Sequence, residues 1–314
     1  MSGVLVLDRA QTRAALEPSR VMAAVATALV AISRGEVSAP PRIAAKAPAG
    51  LLGAMPAHVP GLGLAAKLVS VFAESGSTGR SAHRGLVALF DEDDGRLLAV
   101  MDAEAVTAVR TAAVATHSML ALARPDAARI AVVGSGAQAR AQVDLLVALG
   151  NTLPLVVGAR DAERAAETAA RHPRAVADTV EAAVRGADIV FCCTGARSPV
   201  IRRSWLAAGA HVSSVGGSAG PELDADTVRD AALFVEWEGA HTSPPPAGAH
   251  ELQGPVADHG VLLGSVLDGR EPGRTDRTGL TVFKSTGHAA LDVAAASVVH
   301  ACARSRGLGT TVDL

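Results

Sequence analysis

Residues Ile130–Gln142 read Ile-Ala-Val-Val-Gly-Ser-Gly-Ala-Gln-Ala-Arg-Ala-Gln, and they constrain the fold more than any other stretch. An apolar run ends in Gly134, Gly136 and Ala139, spaced G-x-G-x-x-A, and a helical pattern follows. That is the strand–turn–helix order of a dinucleotide-binding unit. Gly134 permits the tight turn, Gly136 lets the backbone approach a pyrophosphate, and the small Ala139 lets the helix pack close to its strand. The helix start, with Ala137 and Gln138, offers unpaired N–H groups and the positive end of the helix dipole to phosphate. The turn lies in mid-chain, so a separate unit is expected ahead of the nucleotide domain.

The 314 residues have room for two domains. Strand–helix alternation after the turn (strands at 130–133, 154–158, 189–193, 211–215 and 233–236, helices at 137–149 and 162–170) predicts a parallel, doubly wound sheet. Ahead of it, residues 9–33 alternate with helical period up to Gly35, and Leu62–Phe72 is an apolar run holding one lysine. His83–Phe90 and Arg96–Met101 flank Asp-Glu-Asp-Asp-Gly, a hairpin turn, and Ala103–Ala123 is a long helical pattern. The last segment, 288–305, is helical again and is expected to return to the front unit. The fold class is therefore α/β: a Rossmann-type doubly wound parallel sheet (124–287) inserted into an α+β substrate and dimerisation domain (1–123 plus 288–314).

Composition removes several function classes. A net charge of −2 gives no polyanion footprint, so no nucleic-acid partner is expected. No apolar run of membrane-spanning length and no signal pattern is read, so no membrane partner is expected either. Three cysteines, with Cys192 and Cys193 adjacent, make no disulfide framework and point to a reducing, cytoplasmic setting. There is no tyrosine, which excludes any mechanism with a phenolic acid. No His-x-x-x-His or Cys-x-x-Cys occurs with ligand spacing, so no metal site is expected. No Gly-x-Ser-x-Gly elbow supports a hydrolase.

Isolated polar residues in apolar surroundings carry the remaining chemistry. Where enzymes selective for NAD place an acid on the ribose 2′-OH, this chain has Gly158-Ala159, followed by Arg160. A guanidinium there suits a 2′-phosphate, so NADP(H) is preferred, with NAD(H) the alternative. Asp161 reads as a helix N-cap. Lys67 is either a strand residue facing water or a buried amine whose lowered pKa fits proton donation. Arg110 is an isolated charge in a helix of small apolar residues, either an anion clamp or a snorkelling surface arginine. Arg42 is a weaker second clamp. His83 and His117 read as structural, and the Cys192-Cys193 pair as core packing.

These segments together resemble the ornithine cyclodeaminase/mu-crystallin family over nearly the whole chain. The matching stretches are Ala66–Phe72, Gly85–Phe90, Met101-Asp102 through Val109–Ala113, Gly134–Ala139, Ala187–Thr194, Pro199-Val200, Val215–Gly217 and Thr281–Gly287. The resemblance implies a homodimer built through the front sheet and an active site between the domains. It also implies that Arg42, Lys67 and Arg110 handle the substrate carboxylate and nearby proton transfer. Met55 and Ser218 join them as substrate-binding positions, and Thr194 and Gly217-Ser218 are expected to line the nicotinamide side.

The chain departs from the cyclodeaminase pattern at one point. Cyclodeaminases carry an aspartate just after the strand-end Gly-Gly, and here Ser218 stands there. A serine without a paired base cannot serve as the general base of cyclisation; Glu222 and Asp224 are the nearby acids that would have to replace it. The chain is thus expected to be a nicotinamide-dependent reductase of α-imino acids, such as pyrroline-2-carboxylate, piperideine-2-carboxylate or an N-substituted imino acid. The alternatives are a cyclodeaminase recycling bound NAD, an alanine dehydrogenase-like enzyme and a crystallin-like NADPH-binding protein.

Overall fold

The computed structural model describes residues 3–72, 83–217, 219–253 and 260–313. The chain opens with β1 (Val4–Val6), α1 (Arg9–Ala15) and α2 (Pro18–Ser33). The single helix expected over residues 9–33 is therefore two. Pro18 has no N–H to donate and forces the residue before it out of helical backbone. Glu17 instead caps the new helix, accepting from the Ser19 and Arg20 N–H groups. A strand series follows: β2 (Ile43–Ala47), β3 (Gly50–Val59), β4 (Gly63–Phe72), β5 (His83–Phe90) and β6 (Leu97–Asp102), then the 20-residue helix α3 (Ala103–Leu122).

The dinucleotide-type stretch runs β7 (Ile130–Val133), α4 (Ala137–Ala148), β8 (Leu155–Gly158), α5 (Ala162–Ala169), β9 (Ala175–Asp178), α6 (Val180–Val184) and β10 (Ile189–Cys192). It continues through β11 (His211–Ser214), α7 (Ala225–Arg229), β12 (Ala231–Val235), α8 (Gly239–Thr242), β13 (Val261–Leu262), α9 (Leu263–Leu267) and β14 (Leu280–Lys284). The chain closes with α10 (Ala289–Arg306) and β15 (Thr310–Val312).

The chain divides into two compact units, residues 1–110 with 288–314, and residues 111–287. The division falls inside α3, whereas the sequence pattern suggests one at the helix's C-terminal end. Among the described residues the first unit holds a seven-stranded sheet ordered β15-β1-β6-β5-β4-β3-β2. α10 packs against β3, β4 and β5 and against α2. The sheet face turned to the helices buries Ala57, Val59, Ala65, Val87, Leu89, Ala99 and Met101. The opposite face leaves Ile43, Leu52, Leu64 and Leu68 exposed, with Ile43 at 69%.

Among the described residues the second unit holds a parallel eight-stranded sheet ordered β13-β12-β14-β11-β10-β7-β8-β9. Strands β7, β8, β10, β11 and β14 are buried at every position, as expected for strands covered on both faces. The chain winds from β7 outward to β9, then crosses back to β10 on the other side of β7. The carboxyl ends of β7 and β10 therefore flank the topological switch point, where open α/β sheets bind ligands. α3 has the length and hydropathy of a membrane span, but 67% of that window is buried inside the protein, which marks a core helix.

Candidate active site

Strand pairing in the first unit sets one row of side chains across the sheet. Met55 of β3 pairs with Lys67 of β4, which pairs with Val87 of β5, which pairs with Met101 of β6. Arg42 stands next to Ile43, the residue paired with Ala54, and so extends the row toward the sheet edge. Because strand side chains alternate, Lys67 shares its face with the buried Ala65 and not with the exposed Leu68. Of the two readings of Lys67, the buried amine is the one the fold adopts.

A carboxylate joins the two cations. Arg110 on α3 donates through Nε to Asp292 Oδ1 at 3.0 Å. Lys67 Nζ lies 3.5 Å from Asp292 Oδ2 and donates to Thr107 Oγ1 at 2.7 Å. All three charged side chains are buried: Lys67 is 7%, Arg110 5% and Asp292 2% exposed. The buried Arg110 excludes the snorkelling alternative. Its bond to Asp292 uses Nε, one of five N–H donors in the guanidinium fork, and leaves donor capacity for a second carboxylate.

Burial pushes the Lys67 ammonium down to about 8, against the pull of Asp292 and with help from Arg110 and Arg42. Burial acts to raise Asp292, but Lys67 and Arg110 hold its carboxyl below the usual range. His288, the N-cap of α10, is driven down to about 4 by burial. At neutral pH the cluster therefore holds two cations against one anion, and a neutral imidazole lies within reach of the same charges. Asp292 and Thr107 were not singled out from the sequence. Asp292 carried a usable signal, being the only acid in Ala289–Arg306, an isolated charge among small residues as Lys67 and Arg110 are.

In the second unit the glycine turn fits a dinucleotide. Gly134 has φ +118°, and a Cβ there would lie 2.6 Å from the Cys193 carbonyl oxygen. A Cβ on Gly136 would meet nothing within 4 Å, so open space lies over the start of α4. Gly136 caps that helix without a side-chain bond, so the first N–H groups, with Ala137 and Gln138, take no side-chain cap from it. Ala139 is fully buried against the sheet. At the end of β8, a Cβ on Gly158 would lie 2.8 Å from Ala183 Cβ, so no acidic side chain fits at that position. Ala159 and the exposed Arg160 follow, and Asp161 caps α5, accepting from Arg164 N–H at 3.1 Å.

The ends of β10, β11 and β14 are bound together by buried charge. Glu222 is fully buried and accepts from Thr194 N–H (2.7 Å), Thr194 Oγ1 (2.6 Å), Ser214 Oγ (2.7 Å) and Gly216 N–H (2.8 Å). Lys284, also fully buried, donates to Ser214 Oγ at 2.8 Å and Gly216 carbonyl at 3.0 Å, and pairs with Glu251 at 2.9 Å. Ser218 lies outside the described residues, as does the side chain of His83. Glu222 is committed to four donors, and Asp224 caps α7 while accepting from Arg203 N–H. Neither acid is placed as a replacement general base. Among the described residues no cluster of metal-ligating side chains occurs.

The model of the ornithine cyclodeaminase/mu-crystallin family matches residues 4–307. The chain belongs to this family. It is 35% identical over 257 residues to ketimine reductase mu-crystallin of Mus musculus, covering 80% of each chain. It is 34% identical over 267 residues to Delta(1)-pyrroline-2-carboxylate reductase of Paracoccus denitrificans, covering 80% of this chain and 83% of that one. Among solved structures it is similar to Thermococcus litoralis Delta(1)-pyrroline-2-carboxylate reductase in complex with NADH and L-proline, with a TM-score of 0.88 at 26% identity. That match covers 98% of this chain and 100% of the other. The family and the parallel Rossmann-type sheet are thus common to the sequence reading, the fold and the relatives.

Proposed function

We propose that the chain reduces an α-imino acid to the amino acid with a nicotinamide cofactor. The observation that carries this reading is the buried Lys67–Asp292–Arg110 cluster, in which the cations outnumber the anion. Burying an uncompensated cation is costly, and an incoming carboxylate relieves that cost. Arg110, with Arg42 beside the same row, holds the substrate carboxylate, and Met55 lines the pocket next to Lys67. Lys67 donates a hydrogen bond to the neutral imine nitrogen and passes its proton to that nitrogen as the hydride arrives. An ammonium held near neutrality is matched to that task. The nicotinamide supplies the hydride. The imine carbon gains that hydride and the nitrogen a proton, so a C=N bond becomes CH–NH as the reduced cofactor is oxidised. Thr107 and Asp292 fix the lysine, and fixed geometry accounts for much of the rate.

The cofactor rests on Gly134, Gly136, Ala137 and Gln138 at the pyrophosphate, and on Thr194 and Gly217 at the nicotinamide end. Gly158 excludes an acid for the ribose 2′-OH and Ala159-Arg160 follows, so NADP(H) is the preferred form. The protein works as a homodimer joined through the exposed Ile43, Leu52, Leu64 and Leu68 face, a surface too apolar to leave in water. Free Cys192, Cys193 and Cys302 fit a cytoplasmic setting.

The test is incubation of the purified protein with NADPH or NADH and each cyclic ketimine. One equivalent of reduced nicotinamide consumed per amino acid formed is the expected result. Proline and ammonia from ornithine with no net change in cofactor would overturn it in favour of the lyase.

A further inference from the structure

The reductive chemistry above makes no use of Lys284, Glu222 and Glu251, yet these are among the most buried charges in the second unit. Their side chains are 0%, 0% and 2% exposed. One ammonium faces two carboxylates, with Lys284 Nζ 2.9 Å from Glu251 Oε1 and 3.8 Å from Glu222 Oε2. Glu251 Oε1 also accepts from the Glu222 N–H at 3.3 Å, while the buried Glu251 Oε2 has no hydrogen-bond partner. A trio of apolar residues would fill such a site at lower cost. Apolar residues, however, cannot hold donors from two loops in fixed directions, and Glu222 holds donors from Thr194 and from Ser214 and Gly216.

The backbone around the trio is interlocked. A Cβ on Gly216 would lie 2.1 Å from the Thr194 carbonyl oxygen and 2.5 Å from Glu222 Oε1. A Cβ on Gly217, whose φ is +90°, would lie 2.7 Å from Lys284 Nζ. The two strand-end loops are thus seated directly on the buried charges. In a doubly wound sheet the first half, here β7 to β9, takes the pyrophosphate and the adenosine side, and the strands beyond the switch point take the other mononucleotide. The trio lies at the carboxyl ends of β10, β11 and β14, beyond that point.

We infer that Lys284, Glu222 and Glu251 are positioning residues for the nicotinamide half of the cofactor, acting through the Thr194 and Gly216-Gly217 loops they tie together. The inference rests on nucleotide binding by this unit but not on the identity of the imine.

Binding affinities separate the outcomes. NADPH and 2′-phospho-ADP-ribose, which lacks the nicotinamide, are titrated against the wild type, Glu222→Gln and Lys284→Met. The amide of Glu222→Gln keeps the shape but turns an NH2 toward the Gly216 or Thr194 donors. The expected result is a loss of NADPH affinity of about 10- to 100-fold, as for a broken hydrogen bond to a charged group. Affinity for 2′-phospho-ADP-ribose stays at the wild-type value. Unchanged NADPH affinity, or parallel weakening of both ligands, overturns the inference, the latter showing a general structural role.

Hydrogen exchange on the wild type guards against variants that do not fold. NADPH, and not the truncated nucleotide, is expected to slow exchange over residues 194–196 and 214–217. Equal protection by both ligands overturns the inference. A wild type that binds neither these two ligands nor NADH and ADP-ribose, the same pair without the 2′-phosphate, overturns the reductase reading itself.

Discussion

The molecule carries two buried charge clusters of opposite balance. In the first unit Lys67 and Arg110 surround one Asp292; in the second, Glu222 and Glu251 surround one Lys284. The excess charge is met differently. In the second cluster the surplus carboxylate is absorbed by the protein's own donors, the N–H groups of Thr194 and Gly216 and the hydroxyls of Thr194 and Ser214. In the first, Thr107 Oγ1 is a neutral acceptor for Lys67, and the surplus positive charge remains. A cluster whose central carboxylate takes donors from two loops holds backbone in place. A cluster left with excess cation suits an anion, which in the proposed function is the substrate carboxylate.

The largest expected effect breaks this contrast directly. Lys67→Met lowers kcat by about 100- to 10,000-fold, the usual worth of a positioned acid, and leaves the dissociation constant for NADPH unchanged. A Lys67→Met protein with full imine-reducing activity would falsify the role given to that lysine. Arg110→Lys keeps the charge and removes the planar fork, so the KM for the imino acid rises by roughly 10- to 100-fold. Steady-state kinetics in which only the cofactor KM moves would reverse the assignment of the two clusters.

A smaller effect shows in pH profiles. The ammonium form of Lys67 is the donor, so activity falls as pH rises through about 8. Asp292 pulls that value up, and its loss in Asp292→Asn lets the lysine deprotonate at lower pH. The alkaline limb of kcat/KM then moves to lower pH, whereas Glu222→Gln leaves the limb where it is. A limb that stays fixed in Asp292→Asn separates Asp292 from the lysine. The smallest effect touches neither cluster: Arg160→Ser weakens NADPH by about tenfold and NADH hardly at all, measured as the ratio of the two dissociation constants. An unchanged ratio removes Arg160 from the 2′-phosphate.

Legibility in the sequence followed the range of the interactions. The glycine turn, the hairpin at Asp91–Gly95 and the cap at Asp161 are local devices, and the structure shows each where the residues predict it. The break at Glu17-Pro18 was equally local but was hidden beneath a helical periodicity that continues on both sides of it. Strands β1 and β15 are too short to display a period, and they exist because each pairs with the other and β1 with β6. Glu222 looked like a spare acid near a strand end; only its four donors show that it is fully engaged.

By itself the sequence determined the nucleotide fold, its place within a second unit, the lack of an acid at Gly158-Ala159 and three of the isolated charges. Those follow from backbone geometry and from period, which neighbours in the chain encode. Tertiary structure decided which charges meet. Arg110 and Asp292 are 182 residues apart and join only because α10 returns to the first unit against β3 and β4. It also decided the sign left over in each cluster. That depends on which donors and acceptors converge in a place without water, and no spacing along the chain specifies it.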